Sequence, residues 1–194
     1  MKQGRRDFVR AAAGLALIRA GWSRAARSSV IAETDVVIEN FSAAGRSEGT
    51  VNVAKTVKSD AEWRSQLSAL AYEVARRAGT ETPFTGAYAG NHADGLYRCI
   101  CCDTPLFDSR TKFESGTGWP SFDRARATGT VLERKERGFM SRTEILCARC
   151  GGHLGHVFPD GPTDTGQRYC VNSLSLTYQA EGGDDADRAQ GVDA

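Results

Sequence analysis

Trp63, Leu67, Leu70, Ala71 and Val74 fall at offsets of 0, 4, 7, 8 and 11 residues, the spacing of one apolar stripe on an α-helix. Just ahead, Ser59 and Glu62 have the form of a capping box, in which two orphan helix donors are satisfied reciprocally. Gly79 marks the expected end of this helix, and Trp63 reads as a core anchor. Beyond Pro83 the pattern changes to short apolar runs separated by Gly, Thr, Asp and Pro. It predicts strands at Gly95–Cys99, Gly129–Arg137, Phe139–Cys147 and Arg168–Tyr178, with Arg137-Gly138 turning a hairpin between the second and third. Residues 33–57 alternate only loosely, and Ser42 to Gly49 make a poor core segment. They read as a spacer with a short strand at Val36-Val37-Ile38. The body is therefore mainly β with a helix ahead of it, over residues 58–178.

The ends have a different character. Residues 1–27 hold seven basic residues against one acid, whereas the rest holds 18 basic and 23 acidic residues. Arg5-Arg6-Asp7-Phe8-Val9-Arg10 precedes an apolar run from Ala11 to Ile18, the outline of a secretory signal. The paired arginines resemble a twin-arginine export signal, with removal expected between Ala20 and Ala32, so that 1–32 is an address for the bacterial periplasm. The bland alternative is a basic amphipathic helix lying on a membrane or a partner. The apolar run is too short to span a bilayer, which takes about 20 residues, so no stable membrane insertion is expected. Residues 179–194 include Glu181-Gly182-Gly183-Asp184-Asp185 and read as a disordered acidic tail. With a net charge of +1 over 194 residues, nothing points to a nucleic-acid partner.

Six cysteines in this length are too few for a disulfide scaffold. Their spacing is more informative. Cys99-Ile100-Cys101-Cys102 and Cys147-Ala148-Arg149-Cys150 each contain a C-x-x-C, and two such knuckles supply the four thiolates that tetrahedral Zn²⁺ prefers. The competing readings are two disulfides or a redox C-x-x-C. His153 and His156 are rival ligands, but a Cys147/Cys150/His153/His156 set is cramped and leaves Cys99 and Cys102 without a role.

Cys170 stands apart, in Arg168-Tyr169-Cys170-Val171-Asn172. On a strand, Arg168, Cys170 and Asn172 share one face. A cation beside a thiol lowers its pKa and raises its thiolate fraction, and Asn172 could orient a polar substrate group. The alternative is a buried structural cysteine.

Taken together, these motifs resemble the B-type methionine sulfoxide reductases. The resemblance runs through Glu62-Trp63-Arg64, Gly79-Thr80-Glu81, Pro83-Phe84-Thr85-Gly86, Gly95-Leu96-Tyr97 and Pro105-Leu106-Phe107. It continues through Phe113-Glu114-Ser115-Gly116-Thr117-Gly118-Trp119-Pro120-Ser121-Phe122, His153-Leu154-Gly155-His156-Val157-Phe158-Pro159-Asp160-Gly161-Pro162 and Arg168 to Ser173. It implies a zinc-bearing, mainly antiparallel β fold (β-tent-like) with N-terminal helices. It also implies reduction of the R epimer of methionine sulfoxide, free or in proteins, by a Cys170 nucleophile that becomes a sulfenic acid. His153, His156 and Asn172 match the family's polar site residues, Arg168 a thiolate support, and Trp119 with Phe122 the substrate-binding aromatics. Cys99, Cys102, Cys147 and Cys150 match its structural zinc site. A thioredoxin-like protein or a small thiol is the implied reductant, and a monomer is expected.

One position departs from that pattern. Many members carry a second, resolving cysteine where this chain has Thr117. Cys101 is an extra cysteine that reads as an alternative resolving thiol, a substitute ligand or a small buried residue. Two other functions stay open at this level: a zinc-stabilised binding module without turnover, and a thiol oxidoreductase working through Cys99 and Cys102.

Overall fold

The computed structural model describes residues 35–42, 46–136 and 142–181. The proposed export signal and most of the acidic tail lie outside these residues. The chain begins with β1 (Asp35–Phe41) and β2 (Ser47–Ala54), which pair antiparallel. The stretch expected to be a spacer is thus largely a β-hairpin. Ile38 and Phe41 are its buried residues, whereas Val37 and Val51 stay exposed.

Next come α1 (Asp60–Gln66) and α2 (Ala69–Arg77). The capping box forms as expected: Ser59 Oγ accepts from the Glu62 amide at 3.3 Å, and the Glu62 carboxyl accepts from the Ser59 amide at 2.7 Å. The single helix predicted from periodicity is in fact two. Leu67 and Ser68 are extended, and Ser68 starts a new helix by accepting from the Ala71 amide at 3.2 Å. The break rotates the apolar stripe, so Tyr72 is buried while Leu70 is 69% exposed.

The remaining strands are β3 (Gly95–Cys99), β4 (Pro105–Asp108), β5 (Lys112–Phe113), β6 (Ser121–Phe122), β7 (Val131–Lys135), β8 (Thr143–Cys147), β9 (His153–Phe158), β10 (Arg168–Val171) and β11 (Leu176–Ala180). One sheet has the order β5-β6-β10-β9-β8-β7 and another the order β11-β3-β4, and every pairing is antiparallel. The fold is therefore mainly β and antiparallel, with two helices ahead of the sheets. The expected hairpin between β7 and β8 is present, although its turn at Arg137-Gly138 lies outside the described residues. The strand predicted over Arg168–Tyr178 is broken: a single 3₁₀ turn at Ser173–Ser175 carries the chain from the six-stranded sheet into the three-stranded one.

The core lies between the sheets and under the helices. Phe107 stacks on Phe122 at 4.5 Å, and Tyr97 meets Phe122 edge-on at 5.0 Å. Such pairs add about 0.5–1.5 kcal/mol beyond their area burial. This cluster backs the strand that presents Cys170.

Candidate active site

β10 sets Cys170 opposite His156 of β9 on one side and Ser121 of β6 on the other. Arg168 and Asn172 flank Cys170 at the period-two positions, as the sequence predicts. A cavity of about 130 Å³ opens at Cys170, bounded by Trp119, His156, Phe158, Arg142 and Asn172.

The electrostatics differ from expectation. Burial pushes the Cys170 thiol above its usual value; Arg168 and the Thr117 hydroxyl pull it down without reversing the shift. The neighbouring cation therefore offsets desolvation and does not produce a resting thiolate. The Arg168 guanidinium is itself held by Asp160, with two contacts of 2.9 Å, and lies 4.4 Å from the Phe158 ring centre.

His153 and His156 are three residues apart, so a regular strand would put them on opposite faces. The β8–β9 register skips Leu154, pairing Ile145 with Gly155 and Leu146 with His153. This bulge restores the parity and brings the two rings to 5.6 Å. His153 Nδ1 sits 2.8 Å from a carboxylate oxygen of Glu144, which also takes Arg134. Burial alone would raise the Glu144 carboxyl, but the bonds from His153 and Arg134 outweigh it and hold the group low. Burial pushes His153 down despite Glu144. A neutral ring then donates from Nδ1 and leaves Nε2 as an acceptor. The Nε2 atoms of both histidines are buried without a hydrogen bond, and of the two rings only that of His156 borders the cavity. His156 lines the cavity, and its Nε2 lies 3.4 Å from Glu136.

Asn172 is buried and already engaged: Oδ1 accepts from the Glu81 amide and Nδ2 donates to the Leu154 carbonyl, both at 3.0 Å. Its first task is to fix backbone. Phe122 does not fit its expected substrate-binding place. Its partner on β10 is Tyr169, not Cys170, and its fully buried ring faces the core. Phe158 supplies a cavity aromatic instead. It sits two residues from His156 on β9, a period-two relationship readable from the sequence. Glu144 had a weaker signal, a lone acid in the apolar strand Thr143–Cys147. Nothing local pointed to Asp160 or Arg142.

The four knuckle cysteines converge elsewhere. The sulfurs of Cys99, Cys102, Cys147 and Cys150 all lie within 4.8 Å of one another, with Cys99–Cys150 at 3.6 Å and Cys102–Cys147 at 3.5 Å. A tetrahedral Zn²⁺ with Zn–S near 2.3 Å sets its ligands about 3.8 Å apart, so the donor set fits and could hold a metal ion. The knuckles are conformational copies. The Asp103 amide returns to Cys99 O at 2.7 Å and the Gly151 amide to Cys147 O at 2.8 Å. Asp103 and Gly151 both adopt positive φ, 61° and 68°, so the two knuckles close with the same turn. One knuckle ends β3 and the other ends β8, so a metal here would join the two sheets. The histidines take no part in this set. Cys101 is buried beside it, its sulfur interacting with Cys99 and Cys150, and lines neither the Cys170 cavity nor its surroundings.

Antiparallel sheets joined at four thiols, with a fifth cysteine opening on an aromatic cavity, define a class of cysteine-bearing, metal-stapled β proteins. The SelR domain matches residues 67–180, and the chain belongs to that family. It is similar to the peptide methionine sulfoxide reductase MsrB of Thiobacillus denitrificans, with 56% identity over 122 residues, 62% of this chain and 92% of the relative. The MsrB proteins of Agrobacterium fabrum and Herminiimonas arsenicoxydans are 54% and 52% identical over 126 and 127 residues. Those matches cover 64% and 65% of this chain and 93% of each relative.

Proposed function

We propose that this protein is a peptide-methionine (R)-S-oxide reductase that repairs oxidised methionine, with Cys170 as the nucleophile. The observation that carries the reading is Cys170 in a cavity with one indole wall and one imidazole wall. Family membership and the names of the relatives support it. The Trp119 ring offers an apolar face to the methyl and thioether groups of the substrate. The Cys170 thiolate attacks the sulfoxide sulfur, the oxygen is protonated, and sulfur–oxygen transfer yields methionine and a Cys170 sulfenic acid. His156, with its Nε2 3.4 Å from the Glu136 carboxylate and the His153 ring behind it, handles the proton or water that this step requires. Arg168 supports the thiolate as it forms, and Asn172 holds the backbone beside it. A thiol reductant restores the enzyme, which acts as a monomer. Zn²⁺ held by Cys99, Cys102, Cys147 and Cys150 contributes structure and no chemistry at Cys170.

The decisive measurement is an epimer-resolved assay. Cys170→Ser abolishes reduction of the R-sulfoxide while fold and metal content persist, because serine is far less nucleophilic near neutral pH than a thiolate. Activity of this variant near the parent level refutes the assignment.

We also propose export to the periplasm by the twin-arginine route, supported by Arg5-Arg6 ahead of the Ala11–Ile18 run. That route would let metal occupy the knuckles before the thiols meet an oxidising compartment. Replacing Arg5 and Arg6 by lysine keeps the precursor in the cytoplasm; normal secretion of that double variant counts against the route.

A further inference from the structure

Behind each of the two site histidines stands a carboxylate, and beside each carboxylate an arginine. His153 meets Glu144, which takes Arg134 across the β7–β8 pairing at 2.8 Å. His156 meets Glu136: Nε2 is 3.4 Å from Oε1, and the other carboxyl oxygen is 3.3 Å from Arg142 Nε. This second set lies where β7 and β8 run into their connecting turn, and the Glu136 amide donates to the Arg142 carbonyl at 2.9 Å. Arg134 and Glu136 are two residues apart, as are Arg142 and Glu144, so the crossed pairs share one face of the hairpin.

The two sets lead to different places. His153 and Glu144 are both buried. The other set opens outward step by step, from 14% side-chain exposure at His156 to 35% at Glu136 and 53% at Arg142. His156 and Arg142 also line the Trp119 cavity with Cys170. A path of polar atoms thus runs from solvent to the back of the His156 ring.

The reductase reading above, on which this inference rests, gives that path a use. Cys170 gives up its thiol proton, the thiolate attacks the sulfoxide sulfur, and the sulfoxide oxygen ends as the hydroxyl of the Cys170 sulfenic acid. The cysteine sulfur loses two electrons and the sulfoxide sulfur gains two. One proton leaves Sγ and one arrives at oxygen, so none is consumed, but the transfer needs a carrier. His156 stands opposite Cys170 in the β9–β10 pairing. Once its ring has protonated the oxygen, it must be reloaded while substrate occupies the cavity. An imidazole takes a proton at one nitrogen and releases one at the other, so a carboxylate at Nε2 reloads it from behind. The groups around His156 are Glu136 and Arg142 at the hairpin end, Glu144 opposite it on β8, His153 on β9 and Cys170 on β10. Glu144 is buried and engaged with His153 and Arg134, and an arginine does not release its proton. Glu136 is the group that joins the ring to water.

We infer that Glu136 reloads His156 with protons during sulfoxide reduction, and that Arg142 holds the Glu136 carboxylate turned toward the ring. Both are positioning residues acting through His156, and neither touches the reacting sulfur or oxygen.

The test uses the full chain with R-sulfoxide over a range of concentrations and no reductant, so that each chain turns over once, and reads the rate of methionine release. Both side chains are partly exposed and the main-chain bond between the two residues survives their replacement, so the hairpin persists in the variants. Glu136→Gln should release methionine at least tenfold more slowly, with half-saturation within twofold of the parent, and Glu136→Asp should recover most of the rate. Formate, a diffusible carboxylate, should speed Glu136→Ala in proportion to its concentration at fixed ionic strength. Arg142→Gln should slow release less than Glu136→Gln, and the double variant should be no slower than Glu136→Gln alone, because one residue acts through the other. Release by Glu136→Gln at the parent rate overturns the proposal. So do additive losses in the double variant, a Glu136→Ala protein indifferent to formate, or a change confined to half-saturation. In each of these cases the parent still releases methionine and the reductase reading stands. A parent that releases none refutes that reading itself.

Discussion

The Trp119 indole N–H donates to the main-chain carbonyl of Glu81 at 3.1 Å. The Glu81 amide donates in turn to Asn172 Oδ1, and its carboxyl oxygens accept from the Ser173 and Leu174 amides at 2.7 and 2.9 Å. One buried residue therefore ties the cavity's indole wall to the backbone that follows Cys170. Removing the carboxyl orphans two amides, and bonds of this kind contribute about 1.5–3 kcal/mol each. Glu81→Ala should cost about 3 kcal/mol, read as a lower urea midpoint at unchanged slope. Trp119→Phe keeps an aromatic face but cuts the tether, so KM should rise several-fold more than kcat falls. A Glu81→Ala protein as stable as the parent contradicts this account.

His153 depends on Glu144 in a way that fixes the sign of a titration. Burial pushes the imidazole below its ordinary value, and the Glu144 carboxylate pulls it back up. His156 opposes the proton on His153, while Glu136 favours it; Arg134 competes for the same carboxylate. The ring should titrate below about 6.5, and Glu144→Gln should move its midpoint lower still. Nitrogen-15 shifts of labelled histidine should show the proton on Nδ1 at neutral pH. A midpoint above 6.5, or an upward shift in Glu144→Gln, contradicts this arrangement.

How far these features could be read in advance depends on the range of the interaction that sets them. The capping box at Ser59, the run Gly95–Cys99 and the two C-x-x-C pairs are local, so spacing alone located them. The alternation that placed Arg168, Cys170 and Asn172 together was also local. Phe122 was assigned by resemblance, and its pairing with Tyr169 and Lys112, which turns it inward, is a tertiary relationship that no short window contains. The break at Leu67–Ser68 was hidden because Ser68 is as compatible with a helix interior as with a cap until the Ala71 amide bonds to it. Glu144, Asp160 and Arg142 reach the site through register and loop path, which no short window contains. Thr117 was visible as a departure, but its approach to Cys170 came only from the tertiary arrangement.

The four-thiol cluster makes a prediction about the joint between sheets. Cys99 ends β3 in one sheet and Cys147 ends β8 in the other, so metal binding is linked to their association. Purified protein should contain one Zn²⁺ per chain. Cys147→Ser should lose the metal and lower Tm together, since binding free energy in such sites is folding free energy. Amide exchange should quicken first at the Cys99–Asp103 and Cys147–Gly151 turns. Metal-free protein with the parent's Tm contradicts the assignment.

Cys170 and Arg168 give the last prediction. Burial raises the thiol, and the nearby guanidinium is the largest influence in the other direction. At neutral pH the resting group is therefore mainly the thiol, and its reactivity should climb as pH rises toward and beyond 8.5, the usual cysteine value. Arg168→Gln removes the cation and leaves the Asp160 carboxylate uncompensated, and both changes disfavour the thiolate. The iodoacetamide profile of Cys170, followed on its own peptide by mass spectrometry, should shift to higher pH. The alkylation rate at pH 8 should fall several-fold, since the thiolate is the reacting form. Far-ultraviolet circular dichroism and zinc content should stay at parent values, separating the electrostatic effect from a loss of fold. Faster alkylation in Arg168→Gln would mean that the guanidinium shields the sulfur and does not favour its ionised form.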